Sequence, residues 1–210
     1  MMRSTTDTAF VRTPVTWYSY LLIATLIYLT NVQGNTIPFL QSEFALSYRV
    51  VSLHSSAIAV GVIIAGVVAE RIARALGRRH ALWLAAGGLG VSAFLLCLAP
   101  AAWMSIGSCL LIGFFGGLLP SIVPAIISDV HGADRGKAFT EQAILAYGFA
   151  IVGPLVTGFF VANNLGWRYS VVLGGAMSLA LVFVFRRVDL PPLRAVTAGT
   201  RAVLPPAFWA

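Results

Sequence analysis

Charge is scarce in this chain. Asp, Glu, Lys and Arg together make up 10 % of 210 residues, against about 25 % in a soluble globular domain. So thin a polar inventory excludes a water-facing shell around a soluble core. Acidic residues are the scarcest: 7 Asp and Glu stand against 14 Lys and Arg, for a net charge of +7. The cations do not make a nucleic-acid surface, because they fall at the ends of apolar runs and not on one face interleaved with aromatics. There are two cysteines, Cys97 and Cys109, both inside apolar runs, where they act as small buried hydrophobes; this excludes a disulfide framework and a metal spacing. Catalytic signatures are also missing: no H-E-x-x-H, no G-x-S-x-G and no Gly-rich phosphate loop occurs. No metal, cofactor or catalytic residue is therefore expected. The first apolar run is too long for the core of a signal peptide.

What the chain has instead is long apolar runs: 59 % of its residues are hydrophobic. About 20 apolar residues cross a bilayer core as a helix. Six runs have that character, at about 17–40, 50–69, 81–99, 103–128, 141–162 and 168–185. The expectation is an all-α membrane protein, with 1–187 as a six-helix transmembrane bundle and 188–210 as a cytoplasmic linker. With the N-terminus inside, twelve Lys and Arg lie on the cytoplasmic side: Arg3, Arg12, Arg71, Arg74, Arg78, Arg79, Arg135, Lys137, Arg186, Arg187, Arg194 and Arg201. Arg49 and Arg168 are left outside. That bias predicts a multi-pass protein of the cell membrane with both termini cytoplasmic.

The most informative stretch is Gly66 to Arg79, which carries four arginines between two apolar runs. Each would cost about 2.5–3.5 kcal/mol at the centre of the bilayer, so the stretch is expected to be an aqueous cytoplasmic loop. It resembles the loop 2–3 signature G-x-x-x-D-R-x-G-R-R of the major facilitator superfamily (MFS) of transporters. Gly66, Glu70 and Arg71 match its first half, with Glu in place of Asp; Gly77, Arg78 and Arg79 match its second half. Four extra residues, Arg74 among them, separate the halves. The resemblance extends to six-helix spacing and to Gly166-Trp167-Arg168-Tyr169 ahead of the sixth run. It implies a 3+3 inverted-repeat bundle, half of an MFS fold, with spans 1 and 4 at a central cavity and spans 2 and 5 against a second half. It also implies that Asp129, at the inner end of span 4, pairs with Arg71, Arg74 or Arg78. Gly153, Pro154 and Gly158 resemble part of the helix-5 antiporter motif, a hint of efflux.

The residues add their own reading. Asn31, Gly34, Asn35 and Pro38 recur at i, i+3, i+4 and i+7, one face of span 1. Pro38 has no N–H and weakens the turn before it, so that polar face should avoid lipid. Asn31, Gln33, Asn35 and Ser121 are the substrate-cavity candidates. Gly61, Ala65 and Ala69 form a small-residue stripe, expected to meet a partner bundle. His54 is the only histidine within an apolar run and is a candidate titratable group. No charged residue lies mid-span, which suits a neutral or weakly polar organic solute. The expectation is an MFS-type secondary transporter half whose partners are that solute, the lipid bilayer and a C-terminal six-helix half. A self-contained six-helix channel, a dimerising half-transporter and an intramembrane enzyme built on His54 are the alternatives.

Overall fold

The computed structural model describes residues 10–191. Every regular element among them is helical: α1 (Pro14–Glu43), α2 (Tyr48–Leu98), α3 (Ala102–His131), a short 3-10 turn (Gly132–Asp134), α4 (Arg135–Ala162) and α5 (Arg168–Val184). Three stretches are long and apolar enough to cross a membrane: Pro14–Glu43, Tyr48–Leu98 and Ala102–Ala162, with Arg168–Val184 as a shorter apolar helix. Arg3, Arg194, Arg201 and the aromatic stretch 204–209 lie outside the described residues.

Local chemistry sets the ends of these helices. Thr13 caps α1: the Thr16 backbone N–H donates to its hydroxyl, while Thr16 Oγ1 accepts from the Thr13 N–H. Pro14 follows at the first helical position, where its missing N–H costs nothing. Gly77 divides α2. Its φ of +77° lies in the left-handed region that glycine alone adopts freely. The result is two arms, 48–76 and 78–98, either side of a one-residue break. This corrects the expected basic loop. Glu70, Arg71 and Arg74 sit on continuous helix, and the second arm starts at Arg78 instead of about 81. The four inserted residues add about one helical turn, composed of helix-favouring Ala, Arg and Leu. Glu70 and Arg74 pair across it at 2.8 Å with i, i+4 spacing. Likewise Asp129 lies on α3, which runs three residues past the expected span.

α1 and α3 are the central helices, buried on several sides, and Tyr18, Tyr28, Leu22, Leu29, Ile112, Leu118 and Leu119 are almost fully enclosed. The first arm of α2 touches the bundle along one narrow line, Val51, His54, Gly61, Ala65, Ala69 and Ala73. That line packs on α3. A Cβ on Gly61 would collide with the Leu110 carbonyl, and one on Gly117 would lie 2.9 Å from Ala65 Cβ. The small-residue stripe is thus spent inside this bundle, not on a partner. The reason is close approach, because two helices near enough for backbone contact leave no room for larger side chains. The faces left outward on the first arm carry large residues instead, Val60, Ile63 and Val67; on α4 they are Ile144, Tyr147, Ile151 and Leu155. The second arm packs on α5 in the same way. Gly90 and Gly175 face one another's carbonyls, and Ser178 Oγ donates to Ala86 O at 2.7 Å.

Candidate functional site: the inner ion pair and the polar face of α1

The break at Gly77 turns Arg78 into the bundle while Arg71 and Arg74 stay exposed. Arg78 Nη2 lies 2.6 Å from Asp129 Oδ2, with 7 % and 17 % of the two side chains exposed. The pair joins the N-terminal end of the second arm of α2 to the C-terminal end of α3. Beside it is a cavity of about 420 Å³ lined by Gly66, Ala69, Glu70, Ala73, Arg78, Ser121, Ile122 and Ala125. The helix-spaced glycine and alanines leave the room, and Arg78 supplies its buried charge. Arg79 faces the chain beyond α5: it donates to Val188 O at 2.8 Å and pairs with Asp189 at 2.9 Å.

At the outer half of α1 the polar face is present as a surface. Asn31 is half-buried and Asn35 exposed. Asn31 Nδ2 donates to Ile27 O and Asn35 Nδ2 to Asn31 O, each at 2.8 Å. Those bonds tie each amide nitrogen to the preceding turn of the same helix. Asn35 and Pro38 line a groove of about 330 Å³ with Pro154, Thr157 and Gly158 of α4. Gly153, the remaining helix-5 residue, packs against Tyr28 and Val32 of α1. Gln33 is elsewhere: 5 % exposed, its amide donates to Cys109 Sγ at 3.8 Å between α1 and α3. Two residues on from Asn31 is about 200° round the helix, the opposite side. Ser121 lines the inner cavity and donates to Gly117 O at 3.1 Å. The four residues singled out for one cavity therefore occupy three places.

His54 is 1 % exposed; its Nε2 is 2.8 Å from Ser105 Oγ and its Nδ1 3.1 Å from Val51 O. Ser105 is itself fully buried. The ring is a hydrogen-bonded tie between the N-terminal parts of the first arm and α3, and it is enclosed by the bundle.

Sequence spacing missed three contacts. Arg12 makes a two-point pair with Glu141 at 2.9 and 2.6 Å, fastening the start of α1 to the start of α4. Thr16 Oγ1 is 2.8 Å from Nε2 of His131, whose ring packs at a tilt against Phe10. Burial pushes the His131 imidazole below its usual range, and the nearby carboxylates of Asp134 and Glu141 act against that shift. At the opposite end of the bundle from Gly77, Arg168 pairs with Glu43 and donates to Cys97 O at 3.0 Å, while its guanidinium lies 4.6 Å over the Trp167 ring. These partners are separated by 71 to 129 positions, so no local signal reveals them. Gly166, with φ +89°, makes the turn that places Trp167 and Arg168 there.

Long helices with apolar outward faces suit a chain that crosses a membrane. The chain belongs to the Major Facilitator Superfamily, whose sequence pattern matches residues 17–209. It is 25 % identical over 176 residues to the ascochitine biosynthesis cluster MFS transporter of Didymella fabae, covering 81 % of this chain and 34 % of that protein. It is 27 % identical over 150 residues to sugar carrier protein C of Ricinus communis, covering 68 % of this chain and 28 % of that protein. In structure it resembles the proton:xylose symporter XylE bound to 6-bromo-6-deoxy-D-glucose, with a TM-score of 0.76 and 19 % identity, over 84 % of this chain and 44 % of that one. The chain spans about a third of the length of the curated relatives it matches and under half of the solved structure.

Proposed function

We propose that this chain is the N-terminal six-helix half of an MFS secondary transporter, which moves a small neutral organic solute by alternating access. The observation that carries this is the buried Arg78–Asp129 pair at the inner end of two closely packed helices. On this reading the two arms of α2 each span the membrane, and with α1, α3, α4 and α5 make six spans in two groups of three. Both termini are cytoplasmic, because the arginine-rich Gly77 break and the α3–α4 turn then lie on the positive-inside side. The Arg78–Asp129 pair is the inner gate, made in one conformation and loosened in the other. Asn31 and Asn35, together with Pro154, Thr157 and Gly158 of α4, contribute to the solute path. An asparagine amide oxygen accepts hydrogen bonds from hydroxyl groups, and no fixed charge calls for an ionic solute. Similarity to a sugar carrier supports a polyhydroxylated solute. The exposed apolar faces of the first arm and α4 meet a second six-helix half.

The test is reconstitution. Residues 1–210 alone in liposomes are expected not to take up labelled glucose or xylose. Co-reconstitution with a C-terminal half is expected to restore uptake, abolished by Asp129→Arg. Uptake by monomeric 1–210 would overturn the half-transporter reading. In intact cells a cysteine at Ala75, which is exposed beside the break, should resist an impermeant external maleimide, and labelling there would reverse the topology.

A further inference from the structure

Residues 185–191, just after α5, are held against the bundle. Phe185 stacks on Tyr18 of α1, with ring centroids 4.9 Å apart and an interplanar angle of 20°. Leu190 packs against the core cluster. Between these anchors the chain crosses the Gly77 break, where two neighbouring arginines hold its backbone. Arg79 Nη2 donates to Val188 O at 2.8 Å, and Arg78 Nη1 donates to Pro191 O at 3.1 Å. Arg79 also pairs with Asp189, whose side chain is fully exposed. The other end of the Arg78 guanidinium is on Asp129. One planar cation is thus shared between a carboxylate on α3 and a carbonyl beyond α5. The fork geometry of a guanidinium fixes both partners in one plane.

We infer that residues 188–191 form a strap across the inner face, and that Arg79 is a positioning residue that keeps the strap in place so that Arg78 is held toward Asp129. Any displacement of the chain that follows α5 is then felt at the ion pair. Three features support it. Arg78 is buried, and its two terminal nitrogens reach Asp129 and the Pro191 carbonyl, so moving either partner pulls on the guanidinium. Arg79 bonds a backbone carbonyl, which registers where the chain lies whatever the side chain at 188. Gly77 places the two arginines on adjacent positions just past the break, where both reach the strap; a residue restricted to helical φ would carry the helix on and turn them elsewhere. The inference rests on the gate reading given above, and its test separates the two.

The measurement is the labelling rate of a cysteine at Ala73, which is 6 % exposed and lines the cavity beside Arg78. The background is Cys97→Ala/Cys109→Ala, and the reagent is a water-soluble maleimide applied to inside-out vesicles. Asp129→Asn breaks the pair directly and reports the gate. Arg79→Ala releases the strap, and Arg79→Lys keeps one donor for Val188 O. A three-glycine insertion after Asp189 leaves every charge in place but separates the Val188 and Pro191 carbonyls. Arg79→Ala and the insertion are each expected to raise the rate about fivefold, with Arg79→Lys close to the parent and Asp189→Ala nearly silent. A raised rate in Asp129→Asn with an unchanged rate in Arg79→Ala, or in the insertion, would overturn the strap and leave the gate standing. No change in Asp129→Asn would overturn the gate and the strap together.

Discussion

Gly113 of α3 presses directly on the backbone carbonyl of Ile58 in the first arm of α2, and a Cβ at 113 would occupy the space that oxygen holds. A backbone carbonyl inside a helix cannot step aside, so the contact can be kept only by glycine. Gly113→Val is expected to destabilise the bundle by about 2–3 kcal/mol, the upper range for overpacking. Gly148→Ala is the control, since its Cβ would meet nothing within 4 Å. There the gain in helix propensity should raise stability by about 0.5–1 kcal/mol. Thermal melting of the two variants in detergent should show shifts of opposite sign. A melting temperature for Gly113→Val equal to the parent would mean the helices are not in backbone contact.

The Arg78–Asp129 pair should behave as a coupled unit. Arg78→Ala leaves a mostly buried carboxylate without its guanidinium, and Asp129→Ala does the reverse. Each is expected to cost about 2–3 kcal/mol, less than a fully enclosed pair because Asp129 keeps 17 % exposure. The double variant should cost less than the sum, with a coupling energy of about 1–2 kcal/mol. Arg74→Ala serves as the reference. Its partner Glu70 is 70 % exposed, so the loss should be within about 0.5 kcal/mol. Denaturation of all four proteins gives the cycle directly, and additivity of Arg78→Ala and Asp129→Ala would dissolve the pair.

His131 predicts a pH dependence with a definite sign. Its folded-state pKa lies below the usual histidine value because burial disfavours the imidazolium, with Asp134 and Glu141 opposing. A group of this kind takes up a proton in the unfolded chain before it does so in the folded one. Its contribution is therefore complete above the unfolded histidine pKa of about 6.5 and is lost as pH falls from there towards the lower folded value. Melting measured at pH 7.5 and 5.5 should fall further in the parent than in His131→Gln, which keeps a hydrogen-bonding group near Thr16 but does not titrate. Equal falls would mean that His131 is solvated in the folded state.

Much of the architecture is legible because apolar length and charge placement answer to the bilayer, which leaves helices few alternatives. The charged stretch misled because charge was equated with loop: cations exclude a residue from hydrocarbon but not from a helix that projects beyond it. Of the two glycines in that stretch, Gly66 stays on continuous helix and Gly77 breaks it, so the backbone freedom of glycine permits the break without singling out its position. The small-residue stripe on the first arm was read correctly as a packing surface but given the wrong neighbour. Gly61 and Gly113 are 52 positions apart, and each stripe identifies only its own half of a contact. The same limit explains why Arg12–Glu141 and Arg79–Asp189 were unseen.

The polar face of α1 yields the sharpest separation of function from stability. Asn35 is exposed and its amide donates to the helix it belongs to, so Asn35→Ala removes a polar group from the surface without leaving a buried partner unsatisfied. The same holds for Asn31, whose amide serves Ile27 O. Both variants should melt within about 0.5 kcal/mol of the parent while solute uptake by the assembled two-half transporter falls. Gln33 is turned the other way, into the contact with Cys109. Gln33→Ala opens a hole between α1 and α3, which should lower stability by about 1–3 kcal/mol, while uptake per folded molecule stays close to the parent. Uptake and melting measured on the same preparations should therefore sort the three variants into two groups. Loss of uptake in Gln33→Ala at unchanged stability, with Asn31→Ala and Asn35→Ala silent, would move the solute path away from this face.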